Sequence, residues 1–92
     1  MLRFNSFANQ KFWKSYHALP NEIKLLANKA YQLFIENPEH PSLHFKRVGK
    51  KHPVYSARIS NAYRALCYLE NQNTYWFWIG NHDSYEQLLK EL

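Results

Sequence analysis

Hydrophobic residues in the first part of the chain recur at helical spacing. One group predicts a first helix over about residues 9–18 and consists of Phe12, Trp13, Tyr16 and His17. A longer stripe at i, i+3, i+4 and i+7 predicts a second helix, and its members are Ile23, Leu26, Ala27, Ala30, Leu33 and Phe34. Pro20 suits the first turn of that second helix, and Asn37-Pro38 ends it. The short break between the two helices predicts an antiparallel helical hairpin.

The hydrophobic period changes from helical to two after Pro41, which predicts strands. Five strands are predicted, at Leu2–Phe7, Leu43–Val48, Val54–Ile59, Tyr63–Glu70 and Thr74–Ile79. Polar residues predict a loop at 49–53 and turns at 60–61 and 71–73. The strand at 74–79 is apolar on both faces, which predicts an interior position in the sheet.

Gly80 is predicted to end that strand, and Asn81 to cap a last helix. The predicted core face of this helix contains Tyr85, Leu88, Leu89 and Leu92. Helices segregated from a largely antiparallel sheet define the α+β class. We therefore expect residues 1–92 to form one domain, in which a small sheet packs on an N-terminal helical hairpin and a short C-terminal helix follows.

The charges add a feature that the hydrophobic pattern does not show. The chain has twelve Lys and Arg residues against seven Asp and Glu, a formal net charge of +5. No acidic residue occurs in the stretch 40–69, which contains Lys46, Arg47, Lys50, Lys51, Arg58 and Arg64. A concentrated field of one sign attracts polyanions such as RNA or DNA. The alternative is a basic surface that only keeps the protein in solution.

Arg58 and Arg64 are the first candidate site residues, because they are predicted on the same face of neighbouring strands. A guanidinium group offers a planar fork that matches phosphate oxygens, so two of them can hold one phosphate. The alternative is that each arginine pairs with a carboxylate, such as Glu70 or Asp83. The basic segment, with Lys46, Arg47, Lys50 and Lys51, is predicted to contact RNA or phosphate.

His82 and Tyr85 are the second pair of candidates. His82 is predicted in the first turn of the last helix, where free N–H groups favour an anion, and an imidazole can act as general acid or base there. The alternative for His82 is a polar residue in a capping turn. Tyr85 is predicted on a buried face, although a buried ring can still direct its hydroxyl outward.

Other chemistry finds little support in the sequence. Pro41 prevents His40 and His44 from lying on one helix, so we expect no metal site. Cys67 is predicted to be a small core residue in an apolar strand. The aromatic run Tyr75–Trp78 could stack nucleotide bases, but its position in an interior strand favours a core role. The longest apolar run is too short to span a membrane, and no secretory signal is evident, so we expect a cytoplasmic protein.

Several short motifs, taken in order, resemble the RelE/ParE superfamily of toxins from type II toxin–antitoxin systems. The stretches that carry the resemblance are His40-Pro-Ser-Leu-His-Phe-Lys46, Val54-Tyr-Ser-Ala-Arg-Ile59, Tyr63-Arg-Ala65, Trp76-Phe-Trp-Ile-Gly80 and His82-Asp-Ser-Tyr85. The Leu19-Pro20 break and the Asn37-Pro38 stop are also similar, so the resemblance spans nearly the whole chain.

The resemblance implies a small sheet on a helical hairpin, a neighbouring antitoxin that wraps and neutralises the toxin, and no cofactor. It implies either of two activities. RelE-like members enter the ribosome and cut mRNA, whereas ParE-like members inhibit DNA gyrase; a non-catalytic nucleic-acid-binding module is a third possibility. For an endoribonuclease, the resemblance assigns catalysis to Arg64, Arg58, His82 and Tyr85. The chain departs from the RelE-like pattern at Ser56, where one of two strand lysines is replaced.

Overall fold

The structure is a computed structural model that describes residues 3–92, and it arranges them as one five-stranded sheet with helices on both faces. The elements are β1 (Asn5–Ala8), α1 (Gln10–His17), α2 (Asn21–Glu36), a 3-10 turn (Pro41–Leu43), β2 (Lys46–Arg47), β3 (Val54–Arg58), β4 (Tyr63–Glu70), β5 (Asn73–Asn81) and α3 (His82–Leu89). The strand order is β1-β5-β4-β3-β2, with β1 parallel to β5 and every other pair antiparallel. The predicted α+β class is therefore confirmed.

Helices α1 and α2 form the predicted hairpin. Asn9 caps α1, because its side-chain oxygen accepts a hydrogen bond of 2.8 Å from the backbone N–H of Phe12. The Tyr16 hydroxyl donates to Oδ1 of Asn28 at 2.7 Å and thereby links the two helices. None of the helices in residues 3–92 combines the length and the apolarity that crossing a bilayer demands.

The hairpin covers one face of the sheet and forms the larger of two cores with it. Most of the predicted α2 stripe faces this core, and Ala27, Ala30 and Phe34 are buried there. Leu26 was expected in the same stripe, but it is exposed. Phe34 packs edge-on against Trp76 of β5.

The helix α3 covers part of the opposite sheet face and forms a second core. Val54 and Leu66 are fully buried there beneath Tyr85. The strand β5 contains a β-bulge, in which Phe77 is the extra residue without a pairing partner on β4. Its neighbours Trp78 and Trp76 pair with Leu66 and Cys67, respectively. As a result, both Phe77 and Trp78 pack in the core on the α3 side.

The prediction of a strand at Leu43–Val48 is wrong for most of its length. Pro41 begins a 3-10 turn, and His44 then takes a left-handed backbone conformation with φ of 44°. A residue with positive φ turns the chain out of an extended path, so only Lys46–Arg47 pair with β3. The first strand is also displaced from its predicted position and spans Asn5–Ala8, while the predicted position Leu2 lies outside the described residues.

Gly80 does not end β5, contrary to the sequence prediction, since the strand runs to Asn81. The glycine serves packing instead. A Cβ at Gly80 would lie 2.7 Å from Cζ2 of Trp78, so only glycine lets the indole ring lie over this part of the backbone. The strand β5 has neighbours on both sides, as predicted, although β4 is the middle strand of the sheet.

Cys67 is fully buried in β4, and burial raises the pKa of its thiol from 9.0 to about 12. The thiolate is the reactive form, so burial keeps this thiol protonated and unreactive at a mildly alkaline pH. We predict that Ellman's reagent leaves the native protein unmodified and reacts with one thiol per chain in guanidinium chloride. Rapid modification of the native protein would contradict the buried position.

Candidate functional site

An open pocket of about 210 Å³ lies on the sheet face that carries α3, at the end where β3 turns into β4. The residues that line it are His44, Lys46, Val48, Ser56, Arg58, Arg64, His82, Tyr85, Glu86 and Leu89. A second cavity of about 190 Å³ lies between the hairpin and the other sheet face, and no charged residue or histidine lines it. Acid–base and phosphate chemistry therefore has its groups in the first pocket.

Arg58 and Arg64 stand directly opposite each other on β3 and β4. Like charges in that arrangement destabilise a sheet. Among residues 3–92 neither arginine has a carboxylate within ion-pair distance, so the alternative of pairing with Glu70 or Asp83 is not observed. Two cations without an ion-pair partner among the described residues create a positive potential at this point of the pocket.

Neutral groups of the β3–β4 turn hold both guanidinium groups. Nη2 of Arg58 donates to the side-chain oxygen of Asn61. Nη1 of Arg64 donates to the backbone oxygens of Ser60 and of Tyr63, the latter at 2.9 Å. These contacts use only one terminal nitrogen of each arginine. The other N–H groups of each fork have no hydrogen-bond partner among the described residues and can bind phosphate oxygens.

His82 is the first residue of α3 and follows β5 without a loop. Its backbone N–H donates to the carbonyl oxygen of Ala62 at 2.7 Å, which ties the start of α3 to the β3–β4 turn. The Asn81 side chain caps the helix by accepting from the N–H of Ser84 at 2.8 Å, as predicted. The partly exposed imidazole has its Nε2 3.4 Å from a carboxylate oxygen of Glu86, one helical turn later.

Tyr85 forms the floor of the pocket. Its ring is buried, and its hydroxyl donates to the Ser56 hydroxyl at 3.2 Å. The guanidinium carbon of Arg64 lies 5.9 Å from the centre of the ring, within cation–π range. Tyr85 therefore supports Arg64 from below. Ser56, where a RelE-like lysine was expected, is the residue that accepts its hydrogen bond.

His44 lines the same pocket, a position that its sequence pattern did not predict. Its left-handed backbone follows the 3-10 turn, and such conformations at non-glycine residues cluster at functional sites. Among residues 3–92 no group of three or more His, Cys, Asp or Glu side chains is placed to hold a metal ion. The sequence contains the stretch His-Pro-Ser-Leu-His, but its hydrophobic pattern does not indicate the 3-10 turn that this stretch forms.

The predicted basic contacts separate into two groups. Lys46 lines the pocket. Arg47 does not, and its Nε donates to the backbone oxygen of Gly49 at 3.0 Å. Lys50 and Lys51 are exposed in the loop that precedes β3, at the opposite end of that strand from Arg58. The pocket thus brings together two arginines, one lysine and two histidines.

The fold is similar to that of solved toxin structures at low sequence identity. The similar chains are YafQ from E. coli strain BL21(DE3) (TM-score 0.70, 11% identity, 90% of this chain and 98% of that chain covered), a chain of the RelB–RelE antitoxin–toxin complex from Methanococcus jannaschii (0.67, 15%, 89% and 96%), and the isolated E. coli RelE toxin (0.64, 15%, 96% and 97%). At these identities the likeness establishes the fold, which is RelE-like.

Sequence comparison identifies the family. No curated protein matches the chain in sequence. A family model described as the ParE-like toxin domain matches residues 22–87, which include both arginines, both histidines and Tyr85 of the pocket. With this match over most of its length, and with its RelE-like fold, the chain belongs to the ParE-like toxin domain family.

Proposed function

We propose that this protein is the toxin of a type II toxin–antitoxin system and that it cleaves mRNA on the ribosome. The observation that carries the proposal is the opposed pair Arg58 and Arg64, which share a pocket with His44 and His82 and have no carboxylate partner within residues 3–92. An enzyme that cuts a phosphodiester needs cations at the phosphate and proton-transfer groups on either side of it. This pocket contains both kinds of group.

The proposed reaction is an internal transfer within the RNA. A ribose 2′-oxygen attacks the adjacent phosphorus, and the bond from phosphorus to the 5′-oxygen of the next nucleotide breaks. A base removes the 2′-hydroxyl proton, and an acid protonates the leaving 5′-oxygen. The products are a 2′,3′-cyclic phosphate and a free 5′-hydroxyl, so no further reactant is required.

We assign the acid to His82 and the base to His44. Glu86, whose carboxylate oxygen lies 3.4 Å from Nε2 of His82, can orient the imidazole for proton transfer. Arg58 and Arg64 stabilise the negative charge that develops on the phosphate oxygens, and Lys46 adds to the field. Tyr85 positions Arg64 and does not reach the reacting atoms, because its ring is buried and its hydroxyl is bonded to Ser56.

The proposed partners are mRNA, the ribosome and a cognate antitoxin. Structures with similar folds include the RelB–RelE complex and the E. coli DinJ–YafQ toxin–antitoxin complex. The unopposed charge of residues 40–69 favours an antitoxin with an acidic segment, because such a segment would compete with RNA for the same cations.

We predict that His82→Ala and His44→Ala each lower the rate of mRNA cleavage about 10²- to 10⁴-fold, the usual effect of losing a general acid or base. The measurement is primer extension on a defined mRNA in a purified translation system. His17→Ala, at the end of α1 on the other sheet face, is the matched control and retains the wild-type rate. Translation arrest by the wild-type protein with every transcript intact would contradict the nuclease proposal.

We predict that an anion stabilises the folded protein, because it relieves the repulsion between Arg58 and Arg64. Inorganic phosphate should raise the thermal midpoint more than chloride at equal ionic strength. Arg58→Gln should remove most of this difference, while Arg3→Gln, an exposed arginine outside the pocket, should preserve it. Equal responses to phosphate in the wild type and in Arg58→Gln would show that the pair does not bind the anion.

A second candidate function is inhibition of DNA gyrase, since the matching family is described as ParE-like. In that case the purified protein blocks supercoiling by gyrase, and His82→Ala has little effect because no proton transfer is involved. Our proposal predicts the reverse: no effect on supercoiling, and strong dependence of mRNA cleavage on His82. Running both assays on the same two preparations distinguishes the functions.

A further inference from the structure

A row of exposed aromatic rings crosses the sheet at the far end of the face that carries the pocket. Phe7 on β1 pairs with Tyr75 on β5, and Tyr75 pairs with Tyr68 on β4. These side chains are 52%, 41% and 40% exposed, respectively. We propose that this aromatic row binds unpaired nucleotide bases of the RNA whose backbone enters the pocket, an inference that rests on the proposed function.

The rings of the aromatic row pack against other aromatic rings. The centres of Phe7 and Tyr75 lie 5.3 Å apart with an angle of 17° between the rings. Tyr68 meets Phe77 edge-on at 4.7 Å, so Phe77, which packs in the core on the α3 side, supports the row from within the sheet. Ordered rings that remain about half exposed offer a π surface at little entropic cost.

The strand β4 contributes one residue to the row, Tyr68, and one to the pocket, Arg64. Side chains alternate along β4, so Arg64, Leu66 and Tyr68 point to the same face. The helix α3 covers the middle of this path, where Leu66 is buried beneath Tyr85. Arg64 is half-buried and lines the pocket, whereas Tyr68 is exposed. A single-stranded chain that passes beside α3 can therefore place a phosphate between the arginines and a base on the aromatic row.

The charges beside the row favour nucleic acid as its occupant. The basic loop with Lys50, Lys51 and His52 adjoins Tyr68, because the carbonyl oxygen of Pro53 accepts from the N–H of Leu69 at 2.9 Å. All three side chains in the loop are exposed. Glu70 is the one acidic residue of β4, and it lies at the strand's end. Cations that follow a backbone, next to aromatic rings that take bases, are the usual features of a single-strand site.

The test is binding of a short single-stranded oligonucleotide made of 2′-O-methyl RNA, which cannot be cleaved, measured by fluorescence anisotropy. Loss of one base–aromatic stack weakens binding about 5- to 150-fold. We expect this loss for Tyr68→Leu and for Tyr75→Leu, which keep apolar bulk but no ring. Tyr68→Phe and Tyr75→Phe should bind as the wild type does. Tyr31→Leu, an equally exposed tyrosine on α2, is the matched control and should also bind normally.

A second oligonucleotide with abasic sites in place of bases separates stacking from charge. If the row binds bases, the wild type binds the abasic strand more weakly than the normal strand. Each leucine variant, which has already lost the ring, binds the two strands with nearly equal affinity. Equal affinities of the wild type and both leucine variants for the normal strand would overturn the proposal. The proposal would also be overturned if the leucine variants bound RNA normally but no longer bound an antitoxin, because the row would then be a binding surface for protein.

Binding of the uncleavable strand and cleavage of mRNA are measured separately, so the base-binding surface and the nuclease activity can fail independently. His17→Ala, on the other sheet face and outside the pocket, should bind the uncleavable strand with wild-type affinity. If the wild type binds through Tyr68 and Tyr75 but cleaves no mRNA, the nuclease proposal fails and the base-binding surface stands. If cleavage depends on His82 while the leucine variants bind normally, the base-binding surface fails and the nuclease proposal stands.

Discussion

The positive potential of the pocket depends on the charges of Arg58 and Arg64, which repel each other because the sheet register places them directly opposite each other. An opposite-charge pair in such a position stabilises a sheet by up to about 1 kcal/mol, and a like-charge pair opposes pairing instead. The turn that joins β3 to β4 compensates with carbonyl and amide oxygens, which hold the two guanidinium groups without neutralising them. The positive potential therefore survives folding and is available to a ligand.

The connection between β5 and α3 brings the histidine to this potential. Asn81, the last residue of β5, pairs with Tyr63, and α3 begins at the next residue. His82 consequently starts the helix beside the β3–β4 turn, and the hydrogen bond from its N–H to Ala62 fixes that position. Because α3 then packs its apolar side on Val54 and Leu66, the same helix positions the imidazole and closes the second core.

The sequence predicted the elements whose pattern is set by local spacing and burial. The α2 stripe, the strands β3, β4 and β5, and the Asn81 cap lie close to where periodicity placed them. It failed where a single backbone conformation decides the path. The positive φ of His44 shortens the predicted strand after Pro41 to two residues and directs that side chain to the pocket. Hydrophobic periodicity carries no information about such a turn, so His44 was not identified as a pocket residue.

The same limit explains Tyr68 and Tyr75, whose exposure could not be inferred from an apolar run. Whether a ring in a central strand is covered depends on how far the last helix extends across the sheet, a tertiary property. Arg58, Arg64 and His82 could be anticipated, because the two arginines were predicted on the same face of neighbouring strands and His82 in the first turn of the last helix. All three line one pocket.

The two-residue strand β2 has a consequence for how copies of this protein meet in solution. It forms one edge of the sheet and consists of Lys46 and Arg47, both exposed. Open sheet edges tend to pair with one another and begin aggregation, but a pairing of two such edges would bring four cations together. A short edge of positive charge thus disfavours pairing between the β2 edges of two copies of the chain.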